Sequence, residues 1–269
     1  MFPGRMKVAS RLGFVGRRAR GVRRFTASLA AILARSEPAD VACPCCGSRP
    51  RAATATRDAV CFISSLTLRR RVCGECGLVF GPWPLVACRP EELAGLYRHL
   101  YTFFSEGSST TYQERTFHLM NPSRRGAYLN YACGDWSEGI GHLRHHGWNV
   151  IGYEPFQPVT AAGIVRDAAA LEPEAFDGVM SHNFIEHVQD PIAFFGRCRS
   201  LLKPGGIMAH SSPCYEYLAE SSPLHLFFYC GDAPAKLAER AGFSQIADHR
   251  VDLDMPGHRY ACVLFRRAT

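Results

Sequence analysis

Short apolar runs alternate with helix-period stretches through the second half of the chain. A run beginning at Tyr128 enters a loop of small residues, Ala132-Cys133-Gly134. A helical pattern follows (Ile140, Leu143, His146), then a Gly turn at Gly147, and then a second apolar run, Trp148 to Tyr153, closed by Glu154. Phe176 to Asn183 reads as a further buried strand bounded by turn residues. Ile192 to Leu202 is helix-compatible, Lys203-Pro204-Gly205-Gly206 is a breaker, and Ile207 to His210 is strand-like, ending at Ser212-Pro213. Strand, loop, helix and strand in this order predict an α/β fold on a parallel sheet. Its first β-α-β unit suits a nucleotide-like ligand. Backbone N–H groups of the loop approach the ligand, and the acid after the second strand holds ribose hydroxyls.

The first half has a different pattern. Val22, Phe25, Leu29 and Leu33 recur at helical spacing, which predicts an amphipathic helix over Val22 to Leu33. Ala59 to Ser64 and Leu66 to Val72 are strand-compatible, and Glu91 to Tyr101 reads as a helix after Pro90. Ser105 to Thr111 is a polar loop rich in Ser and Thr. These patterns divide the chain into an arm (1–38), a small strand-bearing unit (39–88), a helical linker or lid (89–125) and the α/β domain (126–269).

Charge separates the arm from the rest. The net charge is +7, yet residues 1–36 hold nine Lys or Arg and no acid, leaving 22 basic against 24 acidic residues beyond them. A broad nucleic-acid-binding face on the folded body is therefore not expected. A basic amphipathic arm suits an anionic membrane surface or a docking partner, an Arg-rich, acid-poor N-terminus also fits a transit peptide, and a solvated extension is the plain alternative. With no apolar run of spanning length and no secretory h-region, the expected location is cytoplasmic, with peripheral membrane contact through the arm as the variant.

Four of the twelve cysteines form two C-x-x-C-G knuckles, Cys43/Cys46 before Gly47 and Cys73/Cys76 before Gly77. Each knuckle puts two thiolates on one tight turn, and the Gly can take a positive φ. Two such turns facing each other make a closed four-thiolate zinc site, structural by its ligand count. Cys45 is an alternative ligand, and reduced thiols or redox disulfides are the alternatives to metal. Cys61, Cys88, Cys198, Cys230 and Cys262 lie in apolar surroundings and read as small core residues.

The series Phe176-Asp177, Glu186-His187-Val188-Gln189-Asp190-Pro191 and Leu202-Lys203-Pro204-Gly205-Gly206 resembles the class I S-adenosylmethionine-dependent methyltransferases over roughly residues 127 to 265. The pattern from Cys43 through Tyr97 resembles the zinc-ribbon leader of bacterial methyltransferases of surface-glycan and secondary-metabolite biosynthesis. The resemblance implies a Rossmann-like domain of seven strands after a small zinc ribbon, with S-adenosylmethionine and structural zinc as cofactors.

It also assigns roles. Ala132 and Gly134 would lie under the methionine part of the cofactor, and Glu154 would accept from the ribose hydroxyls. Asp167 would receive the adenine amino group, while Ser181, His182 and Asn183 would face the transferring methyl. Glu186 and His187, placed at the start of the helix after that strand, are the candidates for general base, with an architectural role as the alternative. His225 matches a histidine seen before the last helix in glycan-type relatives and would contact substrate, and Tyr97, Tyr101 and Tyr112 would form a lid. The loop departs from the family pattern at Asn130, which replaces an acid, at Ala132, which replaces a glycine and must keep φ negative, and at Trp136, whose ring would cover the ligand. Gly139 or Gly141 would then supply the close approach that the family's first loop glycine provides.

The function expected is methyl transfer to a hydroxyl of a small molecule, sugar or lipid-linked glycan, with C-methylation of a nucleotide-sugar as a variant. RNA base methylation is an alternative, weakened by the near-neutral body and the lack of an Asn/Asp-Pro-Pro-Tyr motif. A non-catalytic zinc-ribbon scaffold is the other.

Overall fold

The computed structural model describes residues 5–49, 55–105, 107–134, 138–155, 161–252 and 259–269, with side chains described from residue 18 onward. The chain begins with one long helix, α1 (Arg5–Leu33). Its buried positions are Phe25, Leu29 and Ile32, with Val22 and Leu33 only partly covered. The helix is therefore longer than the pattern predicted, and its apolar stripe is rotated by one residue at the C-terminal end. That stripe packs on α3 (Pro90–Leu100), whose Leu93, Leu96 and Leu100 are buried, and Phe25 meets Phe103 edge-on at 6.0 Å. The face expected to be available to a membrane is thus covered by the protein itself.

Three short strands lie between these helices: β1 (Thr56–Val60), β2 (Thr67–Val72) and β3 (Val79–Phe80), followed by the single turn α2 (Trp83–Val86). Pro90 opens α3 at a position where a missing N–H costs nothing, and Glu92 accepts from the backbone N–H of Arg89 at 3.0 Å. Next comes α4 (Thr110–Leu119), a helix the sequence pattern did not show.

The larger sheet follows. Its strands are β4 (Tyr128–Tyr131), β5 (Val150–Tyr153), β6 (Ile164–Val165), β7 (Phe176–His182) and β8 (Leu202–Ser211), with α5 (Glu138–His145) after β4 and α6 (Pro191–Leu201) after β7. Asp190 caps α6 by accepting from the N–H of Ala193 at 2.9 Å, and Pro191 takes the first helical position. The Lys203–Gly206 breaker does not separate helix from strand as expected. It forms a bulge inside β8: Phe176 pairs with Leu202 and Gly178 with Ile207, so the four residues Lys203 to Gly206 stand opposite the single Asp177. After β9 (Phe227–Phe228) and α7 (Ala233–Arg240), the hairpin β10 (Phe243–Asp252) and β11 (Arg259–Arg267) closes the sheet.

The seven strands run in the order β10-β11-β8-β7-β4-β5-β6. β4 to β8 are parallel, and β11 joins β8 antiparallel. β7 is buried along nearly its whole length, as a central parallel strand must be. From β4 the chain moves outward to β5 and β6, then returns to β7 on the other side of β4. The crevice at the carboxyl ends of β4 and β7 is thus a topological switch point, where open parallel sheets bind ligands.

The second sheet crosses the expected boundary near residue 88. Its order is β1-β2-β3-β9, and β9 comes from the C-terminal part: Val79 pairs with Phe228 and Phe80 with Phe227. The N–H of Gly81 also bonds to Leu226 O, and buried Arg70 donates to Ser222 O at 2.9 Å. Leu68, Leu78 and Leu96 share one buried cluster with Phe195 and Leu226, so one core runs through both sheets.

Candidate functional site

The crevice at the switch point is built from four strand ends. Tyr131 pairs with Tyr153, and His182 with Ser211, so the ends of β4, β5, β7 and β8 lie side by side. The loop leaving β4 turns sharply. Ala132 takes φ +54° and Gly134 φ +73°, so the expectation of a negative φ at Ala132 fails. A left-handed Ala costs about 1–2 kcal/mol, which the loop carries to make the turn. Cys133 then folds over β5. A Cβ on Gly152 would lie 2.6 Å from Cys133 Sγ, so only glycine fits beneath the loop.

Glu154 leaves the end of β5 almost fully buried, and its Oε2 accepts from the Gly134 N–H at 3.0 Å. Loop and acid are thus in direct contact. Asn130 is buried in β4 and donates to Gln113 Oε1 at 2.6 Å. Gln113, from α4, donates in turn to Ser109 Oγ at 2.7 Å and to Cys133 O at 3.4 Å. An acid at position 130 could not make the bond that Asn130 makes, so the substitution is matched by Gln113. Gly139 also faces Gln113, whose Oε1 lies 3.2 Å from where a Cβ would stand, and a Cβ on Gly141 would have no protein atom within 4 Å. Asp167 is exposed after β6 and caps its own turn, accepting from Ala169 N at 2.9 Å. Trp136 lies outside the described residues.

The end of β7 carries a hydrogen-bonded row. His182 Nδ1 is 2.8 Å from Ser211 Oγ, Ser211 Oγ is 2.6 Å from Thr116 Oγ1, and Thr116 Oγ1 is 2.9 Å from the Tyr260 hydroxyl. The Tyr112 ring stacks on His182 at 5.4 Å and on Tyr260 at 6.0 Å. Burial pulls the His182 pKa down to about 4, so this imidazole is neutral at neutral pH. Asn183 follows with φ +48°, exposed, its N–H bonded to Ser211 O at 2.8 Å. Gln113, Thr116, Ser211 and Tyr260 were missed by sequence reading. The usable signal was a Tyr-x-x-x-Thr spacing on an unrecognised helix.

Glu186 and His187 do not start a helix. They lie in a single 3₁₀ turn, Ile185–His187, before α6 begins at Pro191. His187 Nδ1 donates to Leu224 O at 2.9 Å, which fixes the tautomer, and burial brings its pKa down to about 4. Its ring lies 5.0 Å from His225 and 6.0 Å from Tyr97, which stacks on Tyr101. Glu186 is fully buried. These three residues thus gather with Tyr97 on the side of the crevice faced by the 212–232 segment.

The two cysteine knuckles meet as the spacing predicted. Cys43 Sγ lies 3.7 Å from Cys76 Sγ and Cys46 Sγ 3.6 Å from Cys73 Sγ, with all four sulfurs within 4.8 Å of one another. Thiolates about 2.3 Å from a tetrahedral zinc stand at about this separation, whereas a disulfide is about 2.05 Å. Gly47 and Gly77 take φ +76° and +79° and each donates its N–H to the first cysteine of its knuckle. The Cys73 thiol is lowered to about 6; burial opposes this, but Ser48 and the N–H groups of Cys76 and Glu75 outweigh it. Cys45 faces the core and stands outside the group.

A model of the methyltransferase domain family matches residues 111–249, just over half of the chain. Ubiquinone biosynthesis O-methyltransferase of Xanthomonas campestris pv. campestris (strain B100) is 50% identical over 44 residues, covering 16% of this chain and 18% of that protein. The protein of the same name from Cereibacter sphaeroides (strain ATCC 17029) is 48% identical over 46 residues, 17% of this chain and 19% of that protein. The chain thus spans under a fifth of the length of these curated relatives. Among solved structures, Burkholderia thailandensis 1,6-didemethyltoxoflavin-N1-methyltransferase, with S-adenosylhomocysteine bound, aligns at TM-score 0.54 and 14% identity, covering 74% of this chain and 98% of that one. At that identity the likeness speaks for the fold. The matched segment is the one that bends at Ala132 and buries Glu154 against Gly134, and the chain belongs to the methyltransferase domain family.

Proposed function

We propose that the chain methylates a hydroxyl of a small molecule, a sugar or a lipid-linked glycan, and that zinc held by Cys43, Cys46, Cys73 and Cys76 braces its N-terminal sheet. The observation that carries the reading is the neutral imidazole row at the end of β7. His182 is half-buried, stacked under Tyr112 and tied to Ser211, beside the loop that Glu154 holds. A hydroxyl acceptor must lose its proton as the new bond forms, and a neutral imidazole has a free lone pair to take it, although the burial that keeps the ring neutral also makes it a weaker base. The short stretch shared with ubiquinone O-methyltransferases points to oxygen as well.

Ala132, Gly134 and Glu154 would hold the methionine and ribose parts of the cofactor, Asn130 the region near its ammonium, and Asp167 the adenine. When bound, the cofactor supplies a methyl group already activated on a sulfonium. The chain's residues then have to orient the acceptor in line and keep water out. His182 and Asn183 would position the acceptor. His187, with its tautomer fixed by Leu224 O, would present Nε2 as the proton-accepting atom. Glu186 and His225 would support it from behind. A lipid-linked acceptor would bring the chain to a membrane surface, and among the described residues no helix is long and apolar enough to cross one.

The test is methyl incorporation from labelled S-adenosylmethionine by the zinc-loaded chain, across phenols, sugar nucleotides, glycolipids and ribosomal RNA. Label on an alcohol or phenol oxygen is expected. Label only in RNA, or none in any acceptor, would overturn the hydroxyl reading.

A further inference from the structure

Apart from the four-cysteine group, one cluster of metal-ligating side chains occurs among the described residues. Glu186, Cys214 and His225 each turn one donor atom inward, and the three atoms lie within 4.8 Å of one another. Cys214 Sγ is 3.3 Å from His225 Nδ1. Glu186 and Cys214 are fully buried, and His225 is partly exposed.

We propose that these three residues form a second metal site for a zinc-class divalent cation, with a fourth position open on the His225 side. The donor chemistry selects the class: thiolate and imidazole suit zinc and its neighbours and disfavour calcium and magnesium, while a carboxylate completes many zinc sites. The geometry agrees. Bonds of about 2.3 Å to sulfur and 2.0 Å to nitrogen in a tetrahedron place those two atoms about 3.5 Å apart. A thiol–imidazole hydrogen bond alone gives a similar distance, but it does not account for a buried carboxylate converging on the same point. Taking a carboxylate, a thiol and an imidazole together out of water is costly, and a divalent cation satisfies all three at once. His225 also bonds to the backbone of Ala219, the kind of support that orients a ligating imidazole.

The site has a place in the fold. Residues 214–230 leave β8, pass through β9 and reach the second zinc knuckle, where a Cβ on Gly77 would lie 3.2 Å from Cys230 O. The four-thiolate group anchors one end of this segment. The Glu186 site anchors the other to the turn after β7, beside His187 and Tyr97.

The full-length chain, reduced and stripped by a chelator, is titrated with zinc against a chromogenic chelator. Two equivalents per chain are expected. Cys214→Ser and, independently, His225→Gln should each weaken one equivalent at least 100-fold and leave the other. Cobalt loading gives a second readout: Cys214→Ser should remove about one fifth of the thiolate charge-transfer intensity, one sulfur in five. A single equivalent in the unmodified chain, or two equivalents that survive both substitutions, overturns the second site. If the single equivalent is lost with Cys73→Ser, the four-thiolate site stands without it.

Discussion

A single strained residue sets the shape of the cofactor loop. Ala132 adopts φ +54°, a conformation that its Cβ resists by about 1–2 kcal/mol. Glycine would remove that cost but bring about 0.5–1 kcal/mol of extra entropy in the unfolded chain. Ala132→Gly should therefore raise stability by about 0.5 kcal/mol, read as a higher urea midpoint at unchanged slope. A lower midpoint would mean that the loop is not bent as described. At this scale the loop after β4 was legible: an acid after a strand and small residues before a helix are local patterns, and Glu154 and Gly134 do meet. The partners from α4 and β11 were not, because Gln113 reaches Asn130 and Tyr260 reaches Thr116 across long stretches of chain. No local periodicity carries such pairings.

Elements show the same division. Long periodic segments such as α6 and β7 were readable to within about a residue at each end. α4 was not, since Thr110–Leu119 has scattered apolar positions and owes its place to Phe117 and Thr116 packing on the sheet. The Lys203–Gly206 stretch was read as a break because Pro and Gly usually stop strands, and it is a bulge because β7 pairs before it, at Leu202, and after it, from Ile207 onward. α1 and α3 are joined at their ends by the bidentate pair Arg35–Glu92. Arg35, with help from the N–H and side chain of Arg89, holds the Glu92 carboxyl near 2 instead of its ordinary 4.5. The folded pKa is below the unfolded one, so the pair's contribution is complete above pH 4.5 and disappears as pH falls towards 2. The pair is at the surface and its effect is small. Arg35→Gln should lower the melting temperature by about 1–2 °C at pH 7 and by nothing measurable near pH 2. An equal loss at both pH values would show that Arg35 acts through packing and not through the ion pair.

Over the whole molecule, the leader and the α/β domain are one structure joined by β9 and a shared core. The sequence suggested two units, because the knuckles and the nucleotide-binding pattern are each complete locally. What joins them is a two-residue strand, Phe227–Phe228, too short to carry any pattern of its own. The segment that closes the N-terminal sheet therefore also carries Leu224 and His225, which contact His187 directly. This crevice, at the carboxyl ends of β4, β5 and β7, is expected to bind S-adenosylmethionine through the loop that Glu154 holds. Calorimetric titration of S-adenosylmethionine into the zinc-loaded chain and its Glu154→Ala variant tests it directly. The account predicts saturable one-to-one binding, weakened at least about tenfold by the substitution through loss of a charge-assisted acceptor. No binding to the unmodified chain, or equal affinity in the two proteins, would contradict it.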